Sequence, residues 1–403
     1  MCENCKNGTG PHVPDLSRRT ILSGGAALLG AVAAGTSLGA QKAVAQPQSG
    51  FAVGSPIKAH GYGLTKAGEP LKPVDFSHRP MRADDIVIDV MYAGICHSDI
   101  HTGRGDWGPV AGLIVPGHEI VGRVVATGPQ VSKFKVGDIT GVGTMVDSCG
   151  SCANCVRGLE QYCLNGTTWT YGPDRRNGGQ VYGGYADRLV VREHFGYHIP
   201  EGMDLRSAAP LLCAGITTFS PLNHWDIEPG MKTAVVGLGG LGHMALKFLV
   251  ERGADVTVFT TTPAKTADAT RMGARQAVVW PDEKAFAKLS GHFDFIIVAV
   301  PHSYKVDMFV PLLKVDGSLV NVGVLGQIEG IKGFPLVLGR RSIAGSNVGG
   351  VPETQQLLNY CAAKNIRPEV EVIAIDQVNA AWDRVVAKDV RYRFVIDMST
   401  LKS

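Results

Sequence analysis

No long run of lysine or arginine occurs in the 403 residues, and the formal net charge is only +3. A nucleic-acid partner would need a basic patch or repeat, so that class has no support. Past Ala45 no apolar stretch approaches the ~20 residues that cross a bilayer. Internal repeats are missing too, which excludes solenoids and propellers. Charged residues at 19% and hydrophobic ones at 45% are ordinary for a globular chain long enough for two domains. Glycine is plentiful, at 51, without a collagen period; tight turns and close backbone contacts account for it.

The first 45 residues differ from the rest. Ser17-Arg18-Arg19-Thr20-Ile21-Leu22 sets two arginines before a Gly/Ala-rich apolar stretch, Ile21 to Ala40, and Ala43-Val44-Ala45 supplies the small residues of a cleavage site. Together these resemble a twin-arginine export signal, with removal after Ala45. The expectation is a periplasmic or exported protein with no membrane contact once the signal is gone. The alternatives are a membrane anchor, weakened by its glycines, or a tail on a cytoplasmic protein. Cys2 and Cys5 lie upstream of this segment, have no second pair nearby, and are given no role in the mature chain.

From Pro56 to about His198 the chain reads as short strands between turns. Ile86–Val90 and Ile120–Val125 are β-branched runs, and Gly137-Asp138 is a turn signal. From Leu205 to Gly339 strands alternate with helices: Thr233–Val236, a helix over His243–Arg252, then Val256–Phe259 and Phe295–Ala299. Such alternation predicts parallel strands with right-handed crossovers. The last 50 residues predict a helix over Thr354–Lys364, a strand over Val370–Ile375, a further helix, and a strand over Tyr392–Ile396. That mixture suits a return to the first domain.

The nine cysteines are spaced for metal rather than for disulfides. Cys149-x2-Cys152-x2-Cys155-x7-Cys163 puts four thiols in one short Gly-rich segment, the pattern of a closed tetrahedral zinc site. Close spacing strains most disulfide pairings, and an iron–sulfur cluster is the other reading. A second set is dispersed: Cys96 in Gly94-Ile95-Cys96-His97-Ser98-Asp99-Ile100-His101, His118 in Pro116-Gly117-His118-Glu119, and Cys213 in Leu212-Cys213-Ala214-Gly215. Two sulfurs and one imidazole leave a fourth position open, as catalytic zinc requires. Each alone reads equally as a core residue, Cys213 above all.

Gly237-Leu238-Gly239-Gly240-Leu241-Gly242 follows a strand and opens a helix, the setting in which this glycine pattern binds a dinucleotide. The first glycine makes the turn, the second admits the pyrophosphate, and the third lets helix and strand pack. An NAD site would place an acid at the end of the next strand. Here the chain reads Phe259-Thr260-Thr261-Thr262-Pro263-Ala264-Lys265; neutral hydroxyls and a lysine accept a 2′-phosphate that an acid would repel. NADP is the expected cofactor, with NAD as the alternative.

In these segments the chain resembles the zinc-containing medium-chain alcohol dehydrogenases, in particular the cinnamyl alcohol dehydrogenase branch with its bacterial NADP-dependent aldehyde reductases. C-H-S-D-I-H, D-W-G at Asp106–Gly108, P-G-H-E-I-V-G, G-G-Y at Gly183–Tyr185 and P-L-L-C-A-G-I-T occur in the family's order, over roughly Ser55 to Met398. The resemblance implies an α/β fold: a GroES-like β-rich catalytic domain, from residues 46–204 and 345–403, and a Rossmann-type doubly wound domain over 205–344. It favours two zinc ions per chain, a catalytic one on Cys96, His118 and Cys213 and a structural one on the cysteine quartet. Glu119, beside the catalytic metal, would ligate it transiently, and Asp99 would orient His118. The zinc would lower the alcohol's pKa; the proton would leave through Ser98, the cofactor ribose and His101. His97, Gly240 and Leu241 would face the cofactor; Thr260, Thr261, Thr262 and Lys265 its 2′-phosphate; Val322, Val324 and Ser346 its nicotinamide side. Trp107 matches a substrate-pocket aromatic, with plain packing as the competing reading.

The implied reaction is hydride transfer between NADP(H) and a primary alcohol/aldehyde pair, mainly toward the alcohol, in a dimer or tetramer. Two other readings compete. A zinc-free quinone or enone reductase on this fold has no use for Cys96, His118 and Cys213. A catalytically inactive zinc- and dinucleotide-binding scaffold has none for Ser98 and His101.

Overall fold

The computed structural model describes residues 51–323, 327, 328 and 330–402. The arginine pair, the segment through Ala45, Cys2, Cys5 and Val324 lie outside the described residues.

The β-branched runs of the first part assemble into a seven-stranded sheet. Its spine is the long strand Asp85–Gly94, whose residues are mostly buried on both faces. Ile120–Thr127 runs antiparallel along one edge of it, followed outward by Ile139–Val142 and Gly196–His198. The other edge is divided. Arg188–Arg192 pairs with Asp85–Asp89, and Arg393–Asp397 pairs with Tyr92–Gly94. Val370–Ala374 then adds in parallel to Arg393–Asp397. The end of the chain thus returns to the first sheet and brings Arg393 back toward the residues around Gly94.

The second sheet holds six strands, all parallel, in the order Gln276–Val279, Asp255–Thr260, Lys232–Val236, Phe293–Val298, Leu313–Asn321, Ser342–Gly345. Numbered along the chain this is 3-2-1-4-5-6, the doubly wound order. Its inner strands are near-continuous Val, Ile, Phe and Ala because helices cover both faces. The strand order reverses beside Lys232–Val236, and at the carboxyl end of that strand stands the glycine turn.

Several element ends differ from the expected ones. The helix read from Thr354 begins at Val351, because Gly350 is its N-cap and Pro352 is accepted in the first turn. The helix read from His243 begins at Gly240, since its first turn is the glycine motif itself. The strand expected over Val370–Ile375 stops at Ala374, where a 3-10 turn starts, and that expected from Tyr392 starts at Arg393. Around Leu205 the structure has one helical passage rather than a sharp change. Leu205–Pro210 packs on the first sheet, while Ile216–His224 packs on the helices Gly240–Glu251 and Val351–Lys364.

Candidate active site

The helix His97–Arg104 starts at Cys96, whose backbone is extended, and ends at Gly105 in the left-handed region. Asp99, its third residue, accepts the Cys96 N–H at 2.9 Å, as an acid in the first turn should. The same buried carboxylate accepts from Gly117 N–H at 3.1 Å, from Tyr185 Oη at 3.1 Å and from His118 Nδ1 at 3.0 Å. One side chain therefore caps the helix that presents Cys96 and fixes the ring of His118. With Nδ1 committed to Asp99, His118 Nε2 is the ring nitrogen turned toward the cluster, and it is buried with no partner.

Cys213 arrives from the other side on a single π-helical turn, Leu211–Gly215, between Leu205–Pro210 and Ile216–His224. Such turns recur at functional sites because they re-aim one side chain within a helix. Cys96 Sγ and Cys213 Sγ are 3.9 Å apart. Ligand atoms of Cys96, His118, Glu119 and Cys213 all lie within 4.8 Å of one another, and all four residues are buried.

The electrostatics of this cluster are those of a cation site. The Cys213 thiol donating to Cys96, together with His118, holds the Cys96 thiol well below its usual range, against burial. Its partner Cys213 is pushed well above by that bond and by burial, so the two sulfurs share a proton. Burial alone would lower His118, but the charge and hydrogen bond of Asp99 hold it well above the usual value. Burial raises Glu119 to about 7 despite Arg393. Two sulfurs, an unpartnered imidazole nitrogen and a carboxylate, all dry and converging, fit a borderline-soft divalent ion such as Zn²⁺.

Arg393 went unnoticed in the sequence. Its guanidinium, 4% exposed, pairs with fully buried Glu119. A Cβ on Gly94 would stand 2.0 Å from Glu119 Oε2, and one on Gly240 would stand 2.6 Å from Arg393 Nη1. The pair therefore bridges the metal cluster and the glycine turn. The available signal was a lone charge opening the otherwise apolar run Arg393-Phe394-Val395-Ile396, since a buried arginine demands a partner.

Ser98 and His101 are three residues apart on one helix face. Ser98 Oγ lies 3.7 Å from Cys96 Sγ. His101 Nδ1 is 2.7 Å from Asp106 Oδ2, and its ring stacks on Trp107 at 5.3 Å. Its buried Nε2 has no partner. Trp107, 46% exposed, is a rim residue rather than a core one. Asp106 was visible only as part of a motif; its hold on His101 depends on the turn after the helix.

Cys96, Ser98, His101, Trp107, His118, Cys213 and Arg393 open on one cleft of about 400 Å³ that also takes in His97, Gly239, Gly240, Leu241 and Val322. Gly237 has φ 93°, a backbone few side chains adopt, and a Cβ on Gly242 would meet Gly237 O at 1.8 Å. Around Gly239, in contrast, a Cβ would meet nothing within 4 Å, which leaves the backbone open to a ligand. Ser346 lines a shallower groove beside Asn347, a residue of the cleft wall. Thr260 ends the strand Asp255–Thr260, its hydroxyl accepting the Thr262 N–H at 3.2 Å, and Lys265 is 5% exposed.

The cysteine quartet forms a separate lobe. Its four sulfurs lie within 4.8 Å of one another and remain free thiols, Cys149 and Cys155 at 3.9 Å. Backbone N–H groups point at sulfur: Cys152 at Cys149, 3.3 Å, Leu164 at Cys152, 3.4 Å, and Cys149 at Cys163, 3.4 Å. The N–H groups of Ser151 and Cys152 bring the Cys149 thiol down to about 5. Donors aimed at three of the four sulfurs, with no open position, fit a closed thiolate–zinc site. The lobe is tied to the cleft wall, since Glu160 accepts the Val351 N–H at 3.0 Å and Tyr162 Oη accepts that of Asn347 at 3.0 Å.

A doubly wound sheet with its glycine turn facing a buried sulfur–imidazole cluster defines a dinucleotide-dependent metal dehydrogenase. Known proteins agree. The family described as alcohol dehydrogenase GroES-like domain matches residues 82–201, and that described as zinc-binding dehydrogenase matches 240–363. NADP-dependent alcohol dehydrogenase C 1 of Mycolicibacterium smegmatis is 47% identical over 343 residues, 85% of this chain and 98% of its own. Aldehyde reductase YahK of Escherichia coli is 44% identical over 347 residues, 86% of this chain and 99% of its own. The crystal structure of CAD from Helicobacter pylori complexed with NADP(H) superposes with a TM-score of 0.82 at 35% identity, over 86% of this chain and all of that one. The chain belongs to the zinc-binding alcohol dehydrogenase family and is an oxidoreductase acting on an alcohol/aldehyde pair. Among the described residues no helix is long and apolar enough to cross a membrane.

Proposed function

We propose that the chain interconverts a small aldehyde and its primary alcohol with NADP(H), using two zinc ions of different kinds. The observation that carries this reading is the buried Cys96–His118–Glu119–Cys213 cluster, of which Cys96, His118 and Cys213 share one cleft with the glycine turn. Cys96, His118 and Cys213 would hold the catalytic ion, with Glu119 as an alternating ligand, and Cys149, Cys152, Cys155 and Cys163 the structural one. Bound there, zinc supplies Lewis acidity that makes the substrate oxygen more acidic.

The chain's own groups do the rest. Asp99 keeps the His118 proton on Nδ1, so that Nε2 stays available. Ser98 Oγ would take the alcohol proton while passing on its own, and His101 Nε2 would be the terminal acceptor of a relay that the bound cofactor completes, because Asp106 holds the other ring nitrogen as a donor. Trp107 braces that ring and walls the mouth of the cleft. The walls, which include Trp169, Tyr171, Leu241 and Val348, are largely apolar and exclude water from hydride transfer. His97, Gly237, Gly239, Gly240, Leu241, Gly242, Val322 and Ser346 would seat the cofactor, with the active site between a GroES-like part and the Rossmann-type part at 205–344.

Three features support NADP over NAD: the acid-free Thr260–Thr262 turn, the buried Lys265, and relatives named as NADP-dependent. Burial, with Arg391 and Lys388 nearby, brings the Lys265 ammonium down to about 8; Asp268 opposes this, and Tyr392 supplies only a ring face. Below that pH Lys265 is a cation and favours a 2′-phosphate; above it the attraction fades. Initial rates over a panel of aldehydes are expected to favour NADPH over NADH by at least about tenfold at pH 7. The preference should shrink as pH passes about 8. A preference for NADH at pH 7 would overturn the assignment. Light scattering on the same protein should give a dimer or tetramer, and a monomer would dismiss that part of the proposal.

For the N-terminal 45 residues we propose twin-arginine export. Arg18→Lys with Arg19→Lys should leave the protein in the cytoplasm; an unchanged periplasmic amount sinks the idea.

A further inference from the structure

Val348 is a strained residue of the cleft wall. It is 7% exposed and lines the cleft, yet its backbone sits at φ 39°. That left-handed region crowds a β-branched side chain; glycine enters it readily, and asparagine or aspartate at some cost. Left to itself, Val348 would turn to an extended or right-handed conformation and carry its side chain elsewhere. The surroundings of the segment therefore hold it in place.

The segment spans residues 346–350, between the strand Ser342–Gly345 and the helix Val351–Lys364. Ser346 N–H donates to Asn321 O at 3.0 Å, which continues the pairing of the strand. The next anchors come from the cysteine lobe. Tyr162 Oη accepts the Asn347 N–H at 3.0 Å, directly before the strained residue. Beyond it, a Cβ on Gly350 would stand 1.7 Å from Gly158 O, and Glu160 accepts the Val351 N–H at 3.0 Å. Gly158, Glu160 and Tyr162 all lie between Cys155 and Cys163. Gly158 and Glu160 secure the start of the helix, whereas Tyr162 holds the residue next to Val348. Its side chain is no core group, since Tyr162 is 43% exposed.

We propose that Tyr162 is a positioning residue for aldehyde selection: its hydroxyl keeps Val348 in the left-handed conformation that places the valine in the cleft wall. The lobe then has a second task beside its own fold, which is to set the size of the substrate space. Trp169, Thr170 and Tyr171 of the wall follow the lobe directly in the chain, and Val348 is held to it through Tyr162. The inference rests on the aldehyde–alcohol reading above.

Glycine supplies the test, because it adopts this φ without strain and needs no anchor there. KM and kcat for butanal and benzaldehyde with NADPH are measured on the wild type, Tyr162→Phe, Val348→Gly and the double variant. Zinc content and the NADPH dissociation constant are measured alongside. Tyr162→Phe removes one oxygen atom and should raise KM for butanal about tenfold. The rise should be smaller for benzaldehyde, whose ring still meets a receded wall, and kcat should stay within about twofold. Unchanged zinc and NADPH binding show that the variant is folded. Val348→Gly should raise KM for butanal by a similar factor, and adding Tyr162→Phe to it should change nothing further. Wild-type KM values in Tyr162→Phe overturn the proposal, as do effects that multiply in the double variant or a loss of zinc from Tyr162→Phe. A wild type that turns over neither aldehyde removes the reading above and this inference with it.

Discussion

Cys96→Ser is expected to reduce bound zinc from about two to about one per chain and to lower NADPH-dependent aldehyde reduction at least about 1,000-fold. The argument starts from geometry. Cys96 Sγ lies 3.9 Å from Cys213 Sγ and within 4.8 Å of the His118 and Glu119 ligand atoms, so it is a corner of the cluster rather than a packing residue. A serine hydroxyl is smaller and is a poor ligand for a borderline-soft ion beside one remaining sulfur. The fold should survive, because Asp99 would still accept the residue-96 N–H and hold His118. The thermal midpoint should therefore move by only a few degrees. Full zinc content with turnover intact would show that the cluster is not the catalytic metal site. Wild-type protein with one zinc and no turnover on any aldehyde would favour the scaffold reading.

Much of this site could be read from the chain because its chemistry is carried by rare residues in short motifs. Cysteines separated by two residues and a histidine between glycine and acid announce ligands whatever the fold. The glycine turn was legible because its flanks, Thr233–Val236 and the apolar spacing after His243, specify strand and helix on their own. Less could be read where a residue acts through a distant part of the chain. Arg393 pairs with Glu119 across 274 residues, and no local pattern joins them. Asp106 needed the turn after Gly105 to bring it under His101. The π turn that aims Cys213 was hidden as well, since Leu211–Gly215 is apolar and reads as ordinary helix.

Cys163→Ser is expected to fail in the opposite way. It too should leave about one zinc per chain, but the thermal midpoint should fall steeply, with unfolding free energy reduced by more than about 4 kcal/mol. The quartet belongs to a lobe with little regular structure of its own: one turn of α-helix at Ala153–Val156 and a 3-10 turn at Glu160–Tyr162. Such a segment buries too little apolar surface to fix itself, so the metal–sulfur bonds hold it. Cys163 also accepts from Cys149 N–H at 3.4 Å and from Arg176 Nη2 at 3.2 Å, which ties in the next loop. The damage should then travel. Glu160, 2% exposed, accepts the Val351 N–H at the start of the helix Val351–Lys364, and Tyr162 accepts that of Asn347 in the cleft wall. Loosening the lobe removes both anchors. Whatever turnover survives at low temperature should show a raised KM for aldehyde and cofactor, with kcat reduced less, because the polarising cluster at Cys96 is untouched. Calorimetry, zinc analysis and kinetics at 10–15 °C on both variants separate the roles. A Cys163→Ser protein as stable as wild type would mean that the lobe metal is dispensable to the fold, and one with kcat abolished but KM unchanged would move it into the chemistry.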